Sequence, residues 1–119
     1  MLLQTVSPIQ VLGTVVLFAI FLSITAHLAA RNVLGAVDPR RALYVGPLPA
    51  VVGVVGGAFS LPAFLTVPLA LALDAAMFHW SYGRERRVTL AMTAIHVVIT
   101  VLLGVVIGGV ILLFATRPT

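Results

Sequence analysis

Long apolar runs separated by short polar segments are the dominant pattern along the chain. They predict helices at about residues 8–30, 47–59, 62–80 and 88–116. A helix needs about 20 apolar residues to cross a bilayer, so four such helices and their connectors use nearly all of the 119 residues. The pattern therefore predicts an all-α fold with one domain, an integral membrane bundle of four transmembrane helices.

Prolines mark three of the four predicted helix starts. Ser7 before Pro8 is typical of an N-cap followed by the first helical residue. The apolar stretch 42–80 is too long for one helix. Ser60-Leu61-Pro62 divides it, because a proline disfavours the helical conformation of the residue before it. The alternative is a re-entrant hairpin over 42–80 that would not reach the far side of the bilayer.

The composition decides which solvent surrounds the protein. Apolar residues make up 61% of the chain and charged residues only 8%, whereas a water-soluble domain carries roughly a quarter charged residues. We therefore expect the protein to lie in the cell membrane, surrounded by the lipid bilayer. The first basic residue, Arg31, follows the first apolar run, so we read residues 1–30 as a permanent span and not as a cleaved signal.

The positive charge predicts an orientation. Six of the seven arginines lie in two connectors, 31–41 and 81–87: Arg31, Arg40, Arg41, Arg84, Arg86 and Arg87. Basic connectors stay in the cytoplasm, so both termini are expected outside. Tyr44, Trp80 and Tyr82 would form an aromatic belt at the cytoplasmic boundary. The arginines are expected to meet lipid headgroups, and we predict no nucleic-acid partner.

Small residues follow one face of two predicted helices. The second helix carries Gly46, Ala50, Gly53 and Gly57, and the fourth carries Thr89, Thr93, His96, Thr100, Gly104 and Gly108. Small residues allow helices to approach closely in lipid, so we expect both faces to be contact surfaces. The pattern leaves open whether the partner is a helix of the same chain, another membrane protein chain or another copy.

Two ionisable residues lie at similar depths inside predicted spans. Asp74 precedes Trp80 by six residues, about 9 Å along a helix, and His96 lies eight residues into the fourth span, about 12 Å. A charged residue inside a bilayer is expected to face protein or water. We therefore predict a hydrogen bond or ion pair between Asp74 and His96. This intramembrane polar pair would act as polar glue between helices, or it would bind a proton or an ion.

No pattern of residues indicates an enzyme. There is no serine–histidine–acid constellation, and the other two carboxylates, Asp38 and Glu85, lie among arginines. The absence of cysteine removes thiolate chemistry, and no helix carries histidines at the spacing of zinc ligands. Ser23 and Thr25 are expected to bond to carbonyls of their own helix. We therefore predict no catalytic site, no metal and no other cofactor.

Two segments resemble a recurring pattern in small, uncharacterised haloarchaeal membrane proteins. They are residues 25–35 and 40–47, and Asp74 in the third span and His96 in the fourth fit the same resemblance. The resemblance implies a four-helix membrane protein and no known activity.

The function expected from these observations is that of a non-enzymatic accessory or structural subunit acting through helix–helix contacts. The chain is small, two of its helices carry faces of small residues, and no catalytic site is evident. The alternative is a small oligomeric transporter or a conduit for ions or protons. In that case Asp74 and His96 would carry the function, and the second helix would line the path.

Overall fold

The computed structural model describes residues 7–118, which form helices and short connectors. In chain order, α1 is Pro8–Leu34, a 3₁₀ helix is Pro39–Tyr44, α2 is Pro47–Ala58, α3 is Ala63–Tyr82 and α4 is Arg86–Thr116. No strand occurs among these residues. The predicted all-α fold with four helices is therefore confirmed.

Local signals fix both ends of α1. The Ser7 hydroxyl accepts a hydrogen bond from the amide of Gln10 at 3.1 Å, and the Gln10 side chain accepts one from the amide of Ser7 at 3.2 Å. This reciprocal pair is a capping box. The helix stops at Gly35, whose φ of 83° suits glycine. It thus runs four residues beyond its predicted end, and Arg31 lies in its last turn.

The other boundaries differ from prediction by one or two residues, and each difference has a local cause. Pro62 is the N-cap of α3 and not its first residue. Gly83 ends α3 with a left-handed φ of 64°, two residues later than predicted. Glu85 is the N-cap of α4, so Arg86 and Arg87 lie in its first turn and not in a connector.

The second apolar segment is longer than predicted because the 3₁₀ helix continues it. The 12 residues of α2 span about 18 Å, well short of the roughly 30 Å of a bilayer core. Together with the 3₁₀ helix they form a segment of 20 residues. Four segments are then long and apolar enough to cross a membrane: Pro8–Leu34, Pro39–Ala58, Ala63–Tyr82 and Arg86–Thr116.

The four helices form a ring. α1 packs against α2 and α4, α3 packs against the same two helices, and the 3₁₀ helix lies against α1 and α3. The Ser81 hydroxyl donates to the carbonyl of Arg41 at 2.7 Å, and the Arg41 guanidinium donates to the carbonyl of Ser81. Both arginine-rich connectors therefore meet at one end of the bundle, the connector end. The opposite end, where α1 begins and α4 ends, is the far end.

The tightly packed core lies toward the connector end. Its fully buried apolar residues are Ala26, Ala29, Ala30, Ala42, Val45, Phe78 and Met92. The alanines of α1 permit close approach of the neighbouring helices, as small residues do in membrane bundles. Toward the far end this packing is lost, and every residue of α4 from Gly104 to Thr116 is exposed.

Candidate functional site

Two close contacts position α2 against its neighbours. A Cβ atom on Gly46 would lie 2.3 Å from Ser23 Oγ and 2.7 Å from the carbonyl oxygen of Ala19, both on α1. A Cβ atom on Gly56 would lie 2.6 Å from the methyl group of Thr66 on α3. α2 therefore contacts α1 at its start and α3 near its end.

The predicted small-residue face of α2 makes contacts within the chain over only part of its length. Gly46 and Ala50 are buried, but Gly53 and Gly57 are exposed, and a Cβ atom on either would have nothing within 4 Å. The contact moves to Gly56 because the neighbour changes along the helix from α1 to α3, which lies to a different side of α2.

The predicted contact between Asp74 and His96 is present. His96 Nδ1 lies 2.6 Å from Asp74 Oδ2. Only 4% of Asp74 and 3% of His96 is exposed, and Phe78 packs edge-on against the imidazole with its ring centre 5.4 Å away. The pair thus links α3 to α4 in an enclosed site.

Thr25 is a further member of this site that the sequence analysis missed. Its hydroxyl lies 2.8 Å from His96 Nε2 and donates to the carbonyl of Leu22 at 3.0 Å. The Thr100 hydroxyl donates to Thr25 Oγ1 at 3.0 Å. The bond to Leu22 fulfils the expectation that Thr25 would bond to its own helix, but the hydroxyl also joins α1 to α4. Depth within the bundle was the signal that could have identified Thr25. It lies six residues before Arg31, just as Asp74 lies six residues before Trp80.

The order Asp74, His96, Thr25 is that of acid, base and hydroxyl in acyl-transfer enzymes. A threonine hydroxyl has one hydrogen to donate and two acceptor positions. Leu22, His96 and Thr100 occupy all three, and Thr25 is fully buried. The hydroxyl is therefore saturated by its own protein, and this network connects helices and offers no position for a substrate.

One atom of the network has no partner. Asp74 Oδ1 is buried and makes no hydrogen bond. An unsatisfied buried polar atom costs about 1–3 kcal/mol, and more if it carries charge. The protonation state of this carboxyl group therefore matters to the stability of the site.

The connector end carries the arginines, and all six of the predicted ones are exposed there. A cavity of about 530 Å³ is lined by Asp38, Arg40, Arg41, Tyr44, Trp80 and Ser81. Tyr44 and Trp80 pack edge to face with ring centres 5.5 Å apart.

A hydrogen bond from the backbone amide of Arg40 lowers the pKa of Asp38, and the guanidinium of Arg40 adds to this effect. Tyr82 lies at the same end but is buried beside Phe78, so only Tyr44 and Trp80 of the three predicted belt residues are exposed.

The far end carries an apolar groove between α1 and α4, with a volume of about 480 Å³. We call it the far-end groove; its lining residues are Leu17, Phe18, Ile20, Phe21, Ile24, Gly104, Ile107, Gly108 and Ile111. A Cβ atom on Gly104 or Gly108 would have nothing within 4 Å. Along the predicted contact face of α4, Thr100 bonds to α1, whereas these two glycines line the open groove. The groove separates α1 from α4 at the level of these glycines.

Sequence comparison matches residues 5–118 to DUF7473, a family of unknown function. The chain belongs to this family. The expectation of an uncharacterised family is therefore confirmed. No curated protein and no solved structure matches the chain.

The geometry of this DUF7473 chain divides into three parts. The connector end presents arginines, the middle holds the Asp74–His96–Thr25–Thr100 network, and the far end opens as an apolar groove. Within residues 7–118 no group of three or more histidine, aspartate or glutamate side chains is placed to hold a metal ion.

Proposed function

We propose that the protein is an integral membrane protein with four crossings, its connector end in the cytoplasm and both termini outside. Four segments of sufficient length and apolarity support the crossings. The exposed arginines gathered at the connector end support the orientation. These arginines would bind anionic lipid headgroups. A haloarchaeal source, suggested by resemblance of the sequence, stays a prediction.

We propose that the protein acts as a non-enzymatic accessory or structural subunit that binds another membrane protein chain through helix–helix contacts. The observation that carries this proposal is the far-end groove. Its walls are aliphatic and aromatic, and its two open glycines, Gly104 and Gly108, are spaced four residues apart on one face of α4.

A transmembrane helix is the occupant that this surface suits. Burial of leucine against leucine gains little in lipid, because lipid tails are equally apolar, so helices associate where small residues permit close backbone approach. Gly104 and Gly108 provide this approach. The groove offers no polar side chain to a headgroup or a solute.

Replacement of Gly104 by leucine tests this proposal. The variant Gly104→Leu places a bulky side chain in the groove, and its Cβ has no atom of the chain within 4 Å. We expect the folded variant to lose its partner when it is extracted from its own membrane in mild detergent. Native mass spectrometry, with identification of every co-purifying chain, measures this loss.

Gly109→Leu is the matched control. Gly109 is also open but does not line the groove, and it lies about 140° around the helix from Gly104 at 100° per residue. This variant should keep the partner. A wild-type protein that is monomeric, or a partner that both variants retain, would contradict the proposal. A pure homo-oligomer would assign the contact to copies of this chain and remove the accessory role.

A second candidate function is a small oligomeric conduit for protons or ions that uses Asp74 and His96. It is favoured by the buried, unpartnered Asp74 Oδ1 and by the hydrogen-bonded chain from Asp74 to Thr100. In one copy the network is enclosed, so conduction would need an assembly or a movement of helices.

The variant Asp74→Asn distinguishes this candidate. It keeps the shape of the side chain but removes its dissociable proton, so a conduit would lose its flux while its assembly persists. Proton and cation flux in proteoliposomes, with a dye as readout, measures the effect. Asp38→Asn, which changes the exposed carboxylate at the connector end, is the control and should conduct as the wild type does. Equal flux in all three proteins would remove the conduit.

A further inference from the structure

The enclosed Asp74–His96 pair is a titratable site that the proposed docking does not use. We propose that it is a proton-binding site. One proton is held between Asp74 Oδ2 and His96 Nδ1, a second hydrogen sits on His96 Nε2, and the pair carries no net charge. Hydrogen-bond geometry and the burial of the two side chains support this assignment. It stands or falls independently of the groove and of any flux.

Two side chains contact the carbonyl group of Leu22. Its carbonyl oxygen can only accept, and it lies 3.0 Å from Thr25 Oγ1 and 3.2 Å from His96 Nε2. Thr25 uses its one hydrogen there, so its oxygen accepts from both His96 and Thr100. With one hydrogen on Nε2 shared between Thr25 Oγ1 and the Leu22 carbonyl, all five contacts of the network are hydrogen bonds.

The opposite tautomer satisfies fewer contacts. If Nε2 carried no hydrogen, Thr25 would turn its hydrogen toward Nε2, and neither side chain could donate to Leu22. Nδ1 would then donate to Asp74. Either Asp74 would be ionised, so that the pair carries a charge of −1, or its proton would sit on Oδ1, where the hydrogen has no acceptor. The side chains of His96 and Asp74 are only 4% and 5% exposed, and an uncompensated buried charge is strongly unfavourable. The unpartnered Oδ1 would add to this cost.

No neighbouring group supplies a compensating positive charge. Within residues 7–118 the ion pairs are this one and the pair of Arg40 with Asp38. The network is faced by hydroxyls from α1 and α4 and by the ring of Phe78 from α3. The other titratable or charged side chains on these three helices form no hydrogen bond or ion pair with it in the described structure: His27, Arg31, His79, Tyr82, Arg86 and Arg87.

Loss of the proton is therefore linked to the contact between helices. When the pair loses its proton, the Thr25 hydroxyl must leave Leu22 to donate to Nε2, and the bond from Nε2 to Leu22 is also lost. Two of the bonds that hold His96 and Thr25 in place disappear together. The pair thus binds its proton as part of holding α1, α3 and α4 together.

The pH dependence of unfolding tests the proton count. Above about pH 7 an unfolded aspartate and histidine have both released this proton, whereas the folded pair retains it. The folded chain then binds one proton more than the unfolded chain. The unfolding constant should therefore rise about tenfold per pH unit above pH 7, until the folded pair also releases its proton. Titration with sodium dodecyl sulfate in mixed micelles, from pH 5 to 9.5, measures this constant.

Asp74→Asn isolates the contribution of the pair. Its amide can donate to Nδ1 but cannot dissociate, so the tenfold rise should be absent, while every other titratable side chain is unchanged. A wild-type curve that matches the variant above pH 7, or that instead loses stability below about pH 6.5, would overturn the proposal. Either result would mean an ionised Asp74 beside a neutral His96.

The tautomer of His96 provides a second test that does not depend on the Asp74→Asn variant. Nitrogen-15 NMR of histidine-labelled wild type at pH 7.5 should show His96 Nε2 bonded to hydrogen. The chain has three histidines, and the conservative variants His27→Gln and His79→Gln identify the other two signals. A His96 ring with hydrogen on Nδ1 alone would overturn the proposal even if Asp74→Asn fails to fold.

Discussion

Gly46→Ala is expected to be the most damaging single-methyl change in the described chain, with a loss of about 1–3 kcal/mol in the free energy of unfolding, as for overpacked cores. The added Cβ would lie 2.3 Å from Ser23 Oγ, 2.6 Å from the Ser23 amide nitrogen and 2.7 Å from the Ala19 carbonyl oxygen. The hydroxyl can rotate away, but the two backbone atoms cannot. α1 and α2 must therefore separate where α2 begins.

Gly53→Ala is the matched control for this prediction. Gly53 lies within α2, the helix that begins directly after Gly46. A Cβ atom added to Gly53 meets nothing within 4 Å. Because alanine favours helix more than glycine does, the control should leave stability unchanged or raise it by up to about 1 kcal/mol. Unfolding by sodium dodecyl sulfate in mixed micelles compares both variants with the wild type. Equal stability of the two variants would contradict the close contact at Gly46.

His96→Leu and Asp74→Leu are each expected to lower the free energy of unfolding by about 1–3 kcal/mol, because each leaves buried polar partners unsatisfied. The double variant should cost less than the sum of the two, since a buried polar pair replaced by apolar side chains leaves no orphaned partner. The difference, a coupling free energy of about 0.5–3 kcal/mol, measures the bond between Asp74 and His96. The same unfolding titration provides all four values.

His79→Leu is the control for loss of an imidazole. His79 is exposed on α3, so its replacement should change stability by no more than about 0.5 kcal/mol. An ordinary hydrogen bond between membrane helices contributes about 0.6 kcal/mol. If each single variant lowered the free energy of unfolding by only about this amount, and the double variant were additive, the network would not hold the three helices together more strongly than ordinary hydrogen bonds do.

The sequence predicted much of the site because depth along a helix is a local property. The rise per residue placed Asp74 and His96 at similar depths, and the cost of a polar group in an apolar span implied that they would face each other. Thr25 lies at the same depth from the connector end. It was missed because a threonine can satisfy its hydroxyl within its own helix. Only the position of α1 beside α4 shows that this hydroxyl also meets His96.

The sequence alone determined the number and approximate bounds of the helices and the grouping of the arginines, because apolar length, proline and glycine act on the segment that contains them. Tertiary structure decided which faces meet. Gly56 replaces Gly53 and Gly57 as a contact because α2 changes neighbour along its length. Gly104 and Gly108 stay open because they face the groove between α1 and α4, and Tyr82 is buried because its face of α3 packs into the core. Helix crossing sets these contacts, and residue spacing within one helix does not encode it.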